Sequence, residues 1–333
     1  MSNLATEIEL KDLLNFLIQN KEQKFLITFH SMGDRDSIGA AIGLKEYLHN
    51  SVIAIPDKIT STSRRVIDAL SEQELLTGKI PKDIFGVIVV DANNLELLNE
   101  FGAKVKASKK QILFIDHHAP HKTDTSKATV FNDEAFNSTS SLIFSIIQRL
   151  GIRPSRDASV ALLNGIIADS FEFQNMHVLT FRQVAELLES SGMGYSHFME
   201  EFGEKVPAAN RLTAIKDLCA ANLEIVGDYL LASGVASIHA NVAAEHAIKS
   251  GADAAVFWMV GAKEVSISAR LKPPLDRKLS IHLGKMMQGI EGLLGGDGGG
   301  HPGAAGAFGP NKANAKKAVD KILLQLKERL EEG

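Results

Sequence analysis

The sequence predicts an α/β fold with two domains. Short runs rich in valine, isoleucine and phenylalanine alternate with stretches whose apolar residues recur at helical spacing. The predicted strands cover residues 25–29, 51–55, 84–90 and 111–115. This alternation is typical of βαβ units, in which helices cover parallel strands. A chain of 333 residues, 45% of them hydrophobic, also exceeds what one modest core accommodates.

Helical patterns connect and follow these strands. They lie at residues 37–48, 62–72, 94–101, 138–150, 157–168 and 180–190, after an amphipathic N-terminal helix. We therefore expect residues 1–194 to form a mostly parallel, doubly wound sheet with helices on both faces. The poorly periodic segment 195–221 is predicted to be a linker.

Residues 222–333 are predicted to form a smaller α/β domain, with a cleft between the two domains. Its predicted strands are 224–226, 229–236, 254–260 and 264–270, and its predicted helices are 242–249, 279–289 and 311–331. A glycine-rich run at residues 295–303 separates the last two helices. Such a run brings backbone N–H groups close to an anion, although a flexible connector is the alternative interpretation.

The composition excludes several classes of protein. Lys and Arg total 36 against 40 Asp and Glu, so the chain lacks the global positive charge of duplex-binding proteins. No apolar run approaches the roughly 20 residues that cross a bilayer. The single cysteine, Cys219, excludes an internal disulfide, and its apolar neighbours predict that it is buried. We expect a cytoplasmic protein that binds neither membranes nor duplex nucleic acid.

Carboxylates and imidazoles follow several apolar runs at their C-terminal ends. They are His30, Asp34, Asp36, Asp91, Asp116, His117, His118 and Asp169. Parallel strands end at one edge of a sheet, where open α/β sheets bind ligands, so we expect these side chains to converge. Crowded carboxylates repel one another unless cations neutralise them, which indicates a site for two divalent cations. The mixed ligands favour Mn²⁺, with Co²⁺, Fe²⁺, Zn²⁺ and Mg²⁺ as alternatives.

Each motif taken alone also has an ordinary structural explanation. The Asp34-x-Asp36 unit is often a turn or a helix cap, and Asp91 an ordinary residue at a strand end. In an extended loop the two aspartates would share a side and reach one cation each. The occurrence of all the motifs on one α/β scaffold favours the metal site.

Together the motifs resemble those of the DHH phosphoesterase superfamily. The resemblance rests on Asp116-His117-His118, on the motifs around His30, Asp91 and Asp169, and on a glycine-histidine run that is similar to the associated C-terminal domain. It is closest to the branch of nano-RNases, 3′-phosphoadenosine-5′-phosphate phosphatases and cyclic-di-AMP phosphodiesterases. The resemblance implies two manganese ions held by His30, Asp34, Asp36, Asp91, His117 and Asp169.

The resemblance also implies roles for residues beside the metals and in the second domain. His118 would touch the reacting phosphate. From the residues themselves we expect Asp116 to fix an imidazole tautomer by accepting its free N–H group, with a role as a weak metal ligand as the alternative. The glycine-run residues Gly299, Gly300 and His301 would meet the substrate phosphate. An arginine on a nearby strand does likewise in the family, and Arg270, which shares a predicted strand face with Ser268, is the candidate.

This chain departs from the family pattern at the first aspartate motif. Met32-Gly33 replaces the usual Asn-Pro, and Arg35 replaces the usual small residue between the two aspartates. An inward-pointing Arg35 would weaken metal binding. We expect it to point outward, where it clamps a substrate phosphate or faces water.

From the residues and the resemblance we expect a manganese-dependent hydrolase of small nucleotides that uses water activated by two cations. The expected substrates are short single-stranded oligoribonucleotides, dinucleotides or nucleoside 3′,5′-bisphosphates. A pyrophosphatase or exopolyphosphatase-like hydrolase is one alternative. A catalytically impaired nucleotide-binding sensor, suggested by Arg35, is the other. The preferred base, the direction of cleavage and the formation of a homodimer are left open.

Overall fold

The structure is a computed structural model of the chain. It describes residues 6–70, 75–118, 128–170, 173, 176–203, 207–237 and 239–332. The chain divides into two compact units, Met1–Glu204 and Lys205–Gly333. Among the described helices, none has the length and apolar character required to span a membrane.

The first unit contains a sheet whose described strands all run parallel to their neighbours. The strands are β1 (Thr6–Glu7), β2 (Phe25–Thr28), β3 (Val52–Ile55), β4 (Leu75–Thr77), β5 (Gly86–Val90), β6 (Gln111–Asp116) and β7 (Ala128–Asn132). Their order across the sheet is β1-β7-β6-β5-β2-β3-β4. The predicted parallel sheet is confirmed. Strands β1, β4 and β7 were not predicted. Strands β1 and β4 have two or three residues, too few to produce a hydrophobic pattern, and β7 carries polar residues at both Thr129 and Asn132.

Helices precede, connect and follow these strands. They are α1 (Leu10–Gln19), α2 (Arg35–Tyr47), α3 (Ser61–Ala69), α4 (Glu100–Ala107), α5 (Thr139–Arg149), α6 (Arg156–Asp169), α7 (Val178–Ser191) and α8 (Tyr195–Phe202). The helix predicted at residues 94–101 was wrong. A 3₁₀ turn at Glu96–Leu98 ends at Asn99, whose φ of 52° interrupts the helix before α4 begins.

Both faces of the first sheet are covered, because alternate strand residues point to opposite sides. In β5, Ile88 and Val90 belong to a core that includes residues of α2, α5 and α6. Val87 and Val89 belong to a second core with Phe101 of α4. The sheet is therefore doubly wound, as predicted.

The direction in which the sheet grows reverses between β2 and β5. From β2 the chain adds β3 and β4 on one side, and from β5 it adds β6 and β7 on the other. The connections after these two adjacent strands diverge and leave a crevice at their carboxyl ends. His30 and Asp91 follow β2 and β5, so they lie at this switch point.

The second unit contains a mixed sheet. Its strands are β8 (Asn222–Val226), β9 (Tyr229–Val235), β10 (Ala254–Val260), β11 (Val265–Leu271), β12 (Asp297–Gly300) and β13 (Ala304–Gly309). The order is β12-β13-β11-β10-β9-β8, with β9 and β10 parallel and the other pairs antiparallel. Its helices are α9 (Ala208–Cys219), α10 (Ala240–Lys249), α11 (Leu275–Lys278), α12 (Leu283–Gln288), α13 (Glu291–Leu294) and α14 (Ala315–Glu331).

Several details of the second unit differ from the sequence prediction. The helix expected at residues 279–289 is present only as α12, because Ser280, whose φ is 51°, interrupts helical geometry before it; α11 precedes the predicted range. The glycine run contains a strand, β12, because its backbone pairs with β13. Cys219, at the end of α9, is exposed. The predicted linker segment 195–221 contains two helices, α8 at the end of the first unit and α9 at the start of the second.

Candidate metal centre

His30 and Asp34 lie in the connection between β2 and α2. The His30 Nδ1 atom accepts the N–H of Met32, at 3.2 Å, and its Nε2 atom lies 3.4 Å from Asp34 Oδ2 and 3.4 Å from Asp91 Oδ2. Burial opposes protonation of His30. The hydrogen bonds to Asp34 and Asp91 and the negative charges of these carboxylates have a larger effect, and they raise the pKa of His30 to about 10. His30 therefore faces strongly negative surroundings.

The Asp34-x-Asp36 unit is not the extended loop that the sequence predicted. Helix α2 begins at Arg35, which is partly buried, and Asp34 is its N-cap, accepting the N–H of Ser37 at 3.0 Å. The capping explanation therefore holds for Asp34, whose other oxygen still faces His30. Asp36 lies in the first turn of α2 and is fully buried.

Asp36 is held by the first turn of α5. Its Oδ2 atom accepts the N–H of Thr139 at 2.7 Å, and its Oδ1 atom accepts the N–H of Ser140 at 2.8 Å. These N–H groups have no partner within their own helix, and the helix dipole favours a negative charge there. Burial and the charges of Asp169 and Asp91 nevertheless raise the pKa of Asp36 well above its usual range. A positive charge nearby would favour the ionised form of this carboxylate.

Asp91 connects the two halves of the site. It follows β5 with a φ of 57°, and its N–H donates to the carbonyl of Ile115 at 3.1 Å. Its Oδ2 atom accepts the hydroxyl of Ser37 at 2.7 Å, and its Oδ1 atom accepts the hydroxyl of Thr139 at 3.0 Å. Burial works against ionisation, but the His30 imidazole holds the pKa of Asp91 below its usual range. Each oxygen is thus oriented by one hydroxyl group.

His117 presents a buried nitrogen atom to three carboxylates. Its Nδ1 atom lies 3.3 Å from the Phe136 carbonyl, to which it can only donate. Its Nε2 atom lies 3.5 Å from Asp169, 3.9 Å from Asp91 and 4.0 Å from Asp36, and has no hydrogen-bond partner among the described residues. Burial alone would lower the pKa of His117, but the three carboxylates have a larger opposite effect and raise this pKa to about 9. A cation bound at Nε2 would satisfy this nitrogen and the surrounding oxygens.

Asp116 orients the two adjacent histidines. Its Oδ1 atom accepts the His118 Nδ1–H group at 2.8 Å and the backbone N–H of His117 at 2.8 Å. The first of these bonds raises the pKa of His118. The Asp116 side chain is fully buried, whereas that of His118 is 48% exposed. His118 is therefore fixed at Nδ1 and accessible to a ligand elsewhere on its ring.

Three overlapping groups of side chains have ligand atoms within 4.8 Å of one another. The groups are His30, Asp34 and Asp91; Asp36, His117 and Asp169; and Asp91, His117 and His118. The structure thus brings together all six predicted ligands, and Asp34 and Asp36 join different groups as expected. Four carboxylates and two imidazoles, one with an unsatisfied buried nitrogen, form a donor set that fits divalent cations.

The site also depends on residues that the sequence reasoning missed. A Cβ atom at Gly165 in α6 would lie 2.0 Å from Ser140 Oγ and 2.7 Å from Asp36 Oδ1, so α6 approaches the site only because residue 165 has no side chain. Ser37 and Thr139 orient Asp91. Their sequence signals were a serine directly after Asp36 and a Ser-Thr-Ser-Ser run that opens a helix.

The predicted substrate residues other than Arg35, which begins α2, lie in the second unit. The Arg270 Nη1 atom donates to Ser268 Oγ at 3.1 Å, to the Ala269 carbonyl at 3.0 Å and to the Ala305 carbonyl at 3.5 Å. Burial lowers the pKa of the Arg270 guanidinium, and Glu245 partly opposes this effect. The predicted common face of Ser268 and Arg270 is therefore present.

The glycine run ends in an exposed turn. Gly299 and Gly300 belong to β12, and His301 follows at the start of the turn to β13. The N–H of His301 donates to the Ala304 carbonyl at 2.8 Å and closes the hairpin. A shared role of these residues and Arg270 in binding a phosphate stays a prediction.

Comparisons with known proteins agree with both domains. The N-terminal domain of the DHH family matches residues 24–168, and the DHHA1 domain matches residues 229–330. An uncharacterized protein of Methanocaldococcus jannaschii is 26% identical over 328 residues, which are 95% of each chain. A probable manganese-dependent inorganic pyrophosphatase of Clostridium acetobutylicum is 28% identical over 166 residues, which are 46% of this chain and 50% of that protein.

A solved structure shares the fold over nearly the whole chain. It is an exopolyphosphatase-related protein from Bacteroides fragilis, with a TM-score of 0.76, 18% identity, and coverage of 96% of this chain and 98% of that chain. The two domain matches together include five of the six converging ligands, and Asp169 follows directly after the first match. The chain therefore belongs to the DHH superfamily of phosphoesterases and carries both a DHH and a DHHA1 domain.

Proposed function

We propose that this protein hydrolyses phosphate esters of small nucleotides with the help of two divalent cations, preferably Mn²⁺. The substrates we propose are short single-stranded oligoribonucleotides, dinucleotides and nucleoside 3′,5′-bisphosphates. The observation that carries the proposal is the convergence of six candidate ligand side chains, with Asp91 and His117 shared between groups and His117 Nε2 buried and unsatisfied.

The position of Asp91 supports two cations. Its Oδ2 atom lies 3.4 Å from His30 Nε2, and its Oδ1 atom lies 3.9 Å from His117 Nε2, so each oxygen faces a different candidate cation position. Ser37 and Thr139 each occupy one lone pair of these oxygens, so the remaining lone pairs have defined directions. When bound, two such cations supply Lewis acidity and a water molecule that ionises near neutral pH.

The accessible imidazole of His118 supports a direct contact with the substrate. Asp116 accepts the Nδ1–H group and so fixes both the tautomer and the orientation of the ring. The Nε2 atom is then the one available to a phosphate oxygen of the substrate. This arrangement positions the phosphate without requiring a covalent enzyme intermediate.

The donor set and one relative support manganese. Carboxylates with a minority of imidazoles suit Mn²⁺, and zinc sites use fewer carboxylates. The relative from Clostridium acetobutylicum that matches 46% of the chain is named as a probable manganese-dependent enzyme.

The second unit supports a nucleotide substrate. Arg270 lies on a sheet face beside glycine residues, where a phosphate can approach the backbone closely. A substrate held by both domains would be longer than a single phosphate. The cleft between the domains and cytoplasmic localisation remain predictions.

The main alternative is hydrolysis of pyrophosphate or polyphosphate. It is favoured by the similarity of 46% of the chain to a probable inorganic pyrophosphatase. That match is shorter than the DHH and DHHA1 matches, which together extend from residue 24 to residue 330, and this is why we rank the alternative second. A nucleotide sensor without turnover is the third reading.

One assay separates these readings. Protein freed of metal with a chelator is incubated with a dinucleotide, a nucleoside 3′,5′-bisphosphate or pyrophosphate, each with Mn²⁺, with Mg²⁺ or without metal. We expect Mn²⁺-dependent release of mononucleotide or phosphate from a nucleotide substrate. Turnover of pyrophosphate alone would establish the alternative, and nucleotide binding without turnover would indicate the sensor.

A further inference from the structure

The two faces of the mixed sheet differ in what covers them. On one face, Ile267, Ala269, Ala305 and Ala307 pack in a core with α12 and α14. The opposite face carries the alternate residues of β11 and β13. In register across the two strands these are Arg270 with Ala304, Ser268 with Gly306, and Ser266 with Phe308.

Helix α10 covers only part of the second face. It packs on β9, β10 and β11, where its alanines form a small core with Ala255 and Phe257. Over β13 and β12 the face carries Gly306 and, in register with it, Gly299. Among the described residues, no atom lies within 4 Å of a Cβ built at Gly299, and only the Ile267 carbonyl oxygen, at 3.2 Å, lies near one built at Gly306. The two glycines therefore form a shallow floor open to solvent.

An aromatic ring and a cation flank this floor. Phe308 is 50% exposed, although the other large aromatic side chain on this face, Phe257, is fully buried. The Arg270 side chain leans along the strand, because its Nη1 atom lies 3.1 Å from the hydroxyl of Ser268, which stands opposite Gly306. The guanidinium group is therefore displaced from the position of Phe308 by two residues along the strand direction, which is roughly 7 Å, and it lies on the neighbouring strand.

We propose that Phe308 is a stacking platform for a nucleobase. The base of a nucleotide lies on the Phe308 ring, its phosphate binds the Arg270 guanidinium, and its sugar crosses the floor of Gly306 and Gly299. This site rests on the proposed function and extends it, because it gives one nucleotide of the substrate a defined position in the second unit.

Three physical features favour this occupant. Every base has a π face, so stacking on one exposed ring accepts any base. The guanidinium adds a positive charge at about the distance that separates a phosphate from its base. A side chain larger than hydrogen at Gly306 or Gly299 would fill the path of the sugar. A purely apolar partner would not use the charge of Arg270.

The test compares binding of adenosine 5′-monophosphate with binding of ribose 5-phosphate, which lacks the base. Calorimetry with the full-length protein in Mn²⁺ is performed on the wild type, Phe308→Ala and Phe308→Trp. Leu324→Ala, which truncates a 60% exposed side chain on α14, is the matched control. Because Phe308 is half exposed, its truncation should leave the melting temperature nearly unchanged.

We expect Phe308→Ala to weaken binding of the nucleotide roughly 5- to 100-fold and to leave binding of ribose 5-phosphate unchanged. Phe308→Trp should bind at least as tightly as the wild type, and Leu324→Ala should bind equally well. Equal nucleotide affinity of the wild type and Phe308→Ala would overturn the proposal. So would a wild type that binds both ligands equally.

Different experimental results would contradict this nucleobase site and the proposed function. Hydrolysis of a dinucleotide by the wild type tests the function. A wild type that hydrolyses dinucleotides while Phe308→Ala retains its KM places the base elsewhere and leaves the function intact.

Discussion

The candidate metal centre of the first unit and the glycine floor of the second unit are built in opposite ways. In the candidate metal centre Asp36 and Asp91 are buried, and hydroxyl or backbone N–H groups orient both carboxylates. On the glycine floor the proposed binding surface is open, because Gly299 and Gly306 lack side chains. In the first region close packing fixes the positions of the side chains, and in the second the missing side chains leave room for a ligand.

The difference follows from what each region has to hold. Charges brought together out of water need partners at fixed distances, because an unpaired buried charge is costly. A surface that receives a flexible ligand needs room and a few anchors. We therefore expect substitutions in the metal centre to abolish metal binding and turnover, and substitutions on the floor to change substrate affinity alone.

The largest effect is expected from Asp91→Asn. Asp91 belongs to two of the three ligand groups, and the amide removes the negative charge that they share. We expect kcat to fall by about 10³-fold or more and Mn²⁺ uptake, measured by calorimetry, to be lost. Asp83→Asn, at a 68% exposed ion pair, is the control and should behave as the wild type. Full activity of Asp91→Asn would contradict the assignment of the site.

A smaller effect is expected from Gly165→Ala. The added methyl group would overlap Ser140 Oγ and press on Asp36, so helix α6 or Asp36 must shift. We expect a loss of stability of about 1–3 kcal/mol in chemical denaturation and a fall in kcat of about 10²-fold.

The control for this substitution is Gly292→Ala. Gly292 lies in a helix of the second unit, and no described atom is within 4 Å of a Cβ built there. It should be neutral or slightly stabilising. If both alanine variants retain full activity, the close approach at Gly165 has no functional role.

The smallest effect is expected from Arg270→Lys. Lysine keeps the charge but loses the planar pair of donors, so KM for a dinucleotide should rise about tenfold. The kcat value and Mn²⁺ affinity should stay unchanged, because Arg270 belongs to none of the ligand groups. Arg329→Lys, on the exposed side of α14, serves as the control. A fall in the Mn²⁺ affinity of Arg270→Lys would contradict the expectation that the two regions act independently.

Much of the first unit could be predicted from sequence because its signals are local. Buried parallel strands are continuous apolar runs, and the polar residues that end them are visible as Asp91 and as Asp116-His117-His118. The same rule explains why the helix at 94–101 was wrong. Asn99 has a positive φ and separates the 3₁₀ turn from α4, but this conformation does not alter the spacing of apolar residues in the sequence.

The hydroxyl groups that orient Asp91 could not be found in this way. Ser37 and Thr139 are 102 residues apart in sequence, and only the packing of α2 against α5 brings both to one carboxylate. The strand within the glycine run was not predicted for a related reason. Glycine disfavours strands by itself, but pairing with β13 compensates for that preference in β12.

The sequence by itself determined the α/β architecture and pointed to six candidate ligand residues, because apolar runs and the titratable side chains at their ends are encoded locally. Only the tertiary structure decided the distances among these side chains, which hydroxyl groups orient Asp91, and that Gly165 must lack a side chain. Those features are distances between elements remote in the chain. They arise when strands from both sides of the switch point and the helices on one face of the sheet pack into a single core.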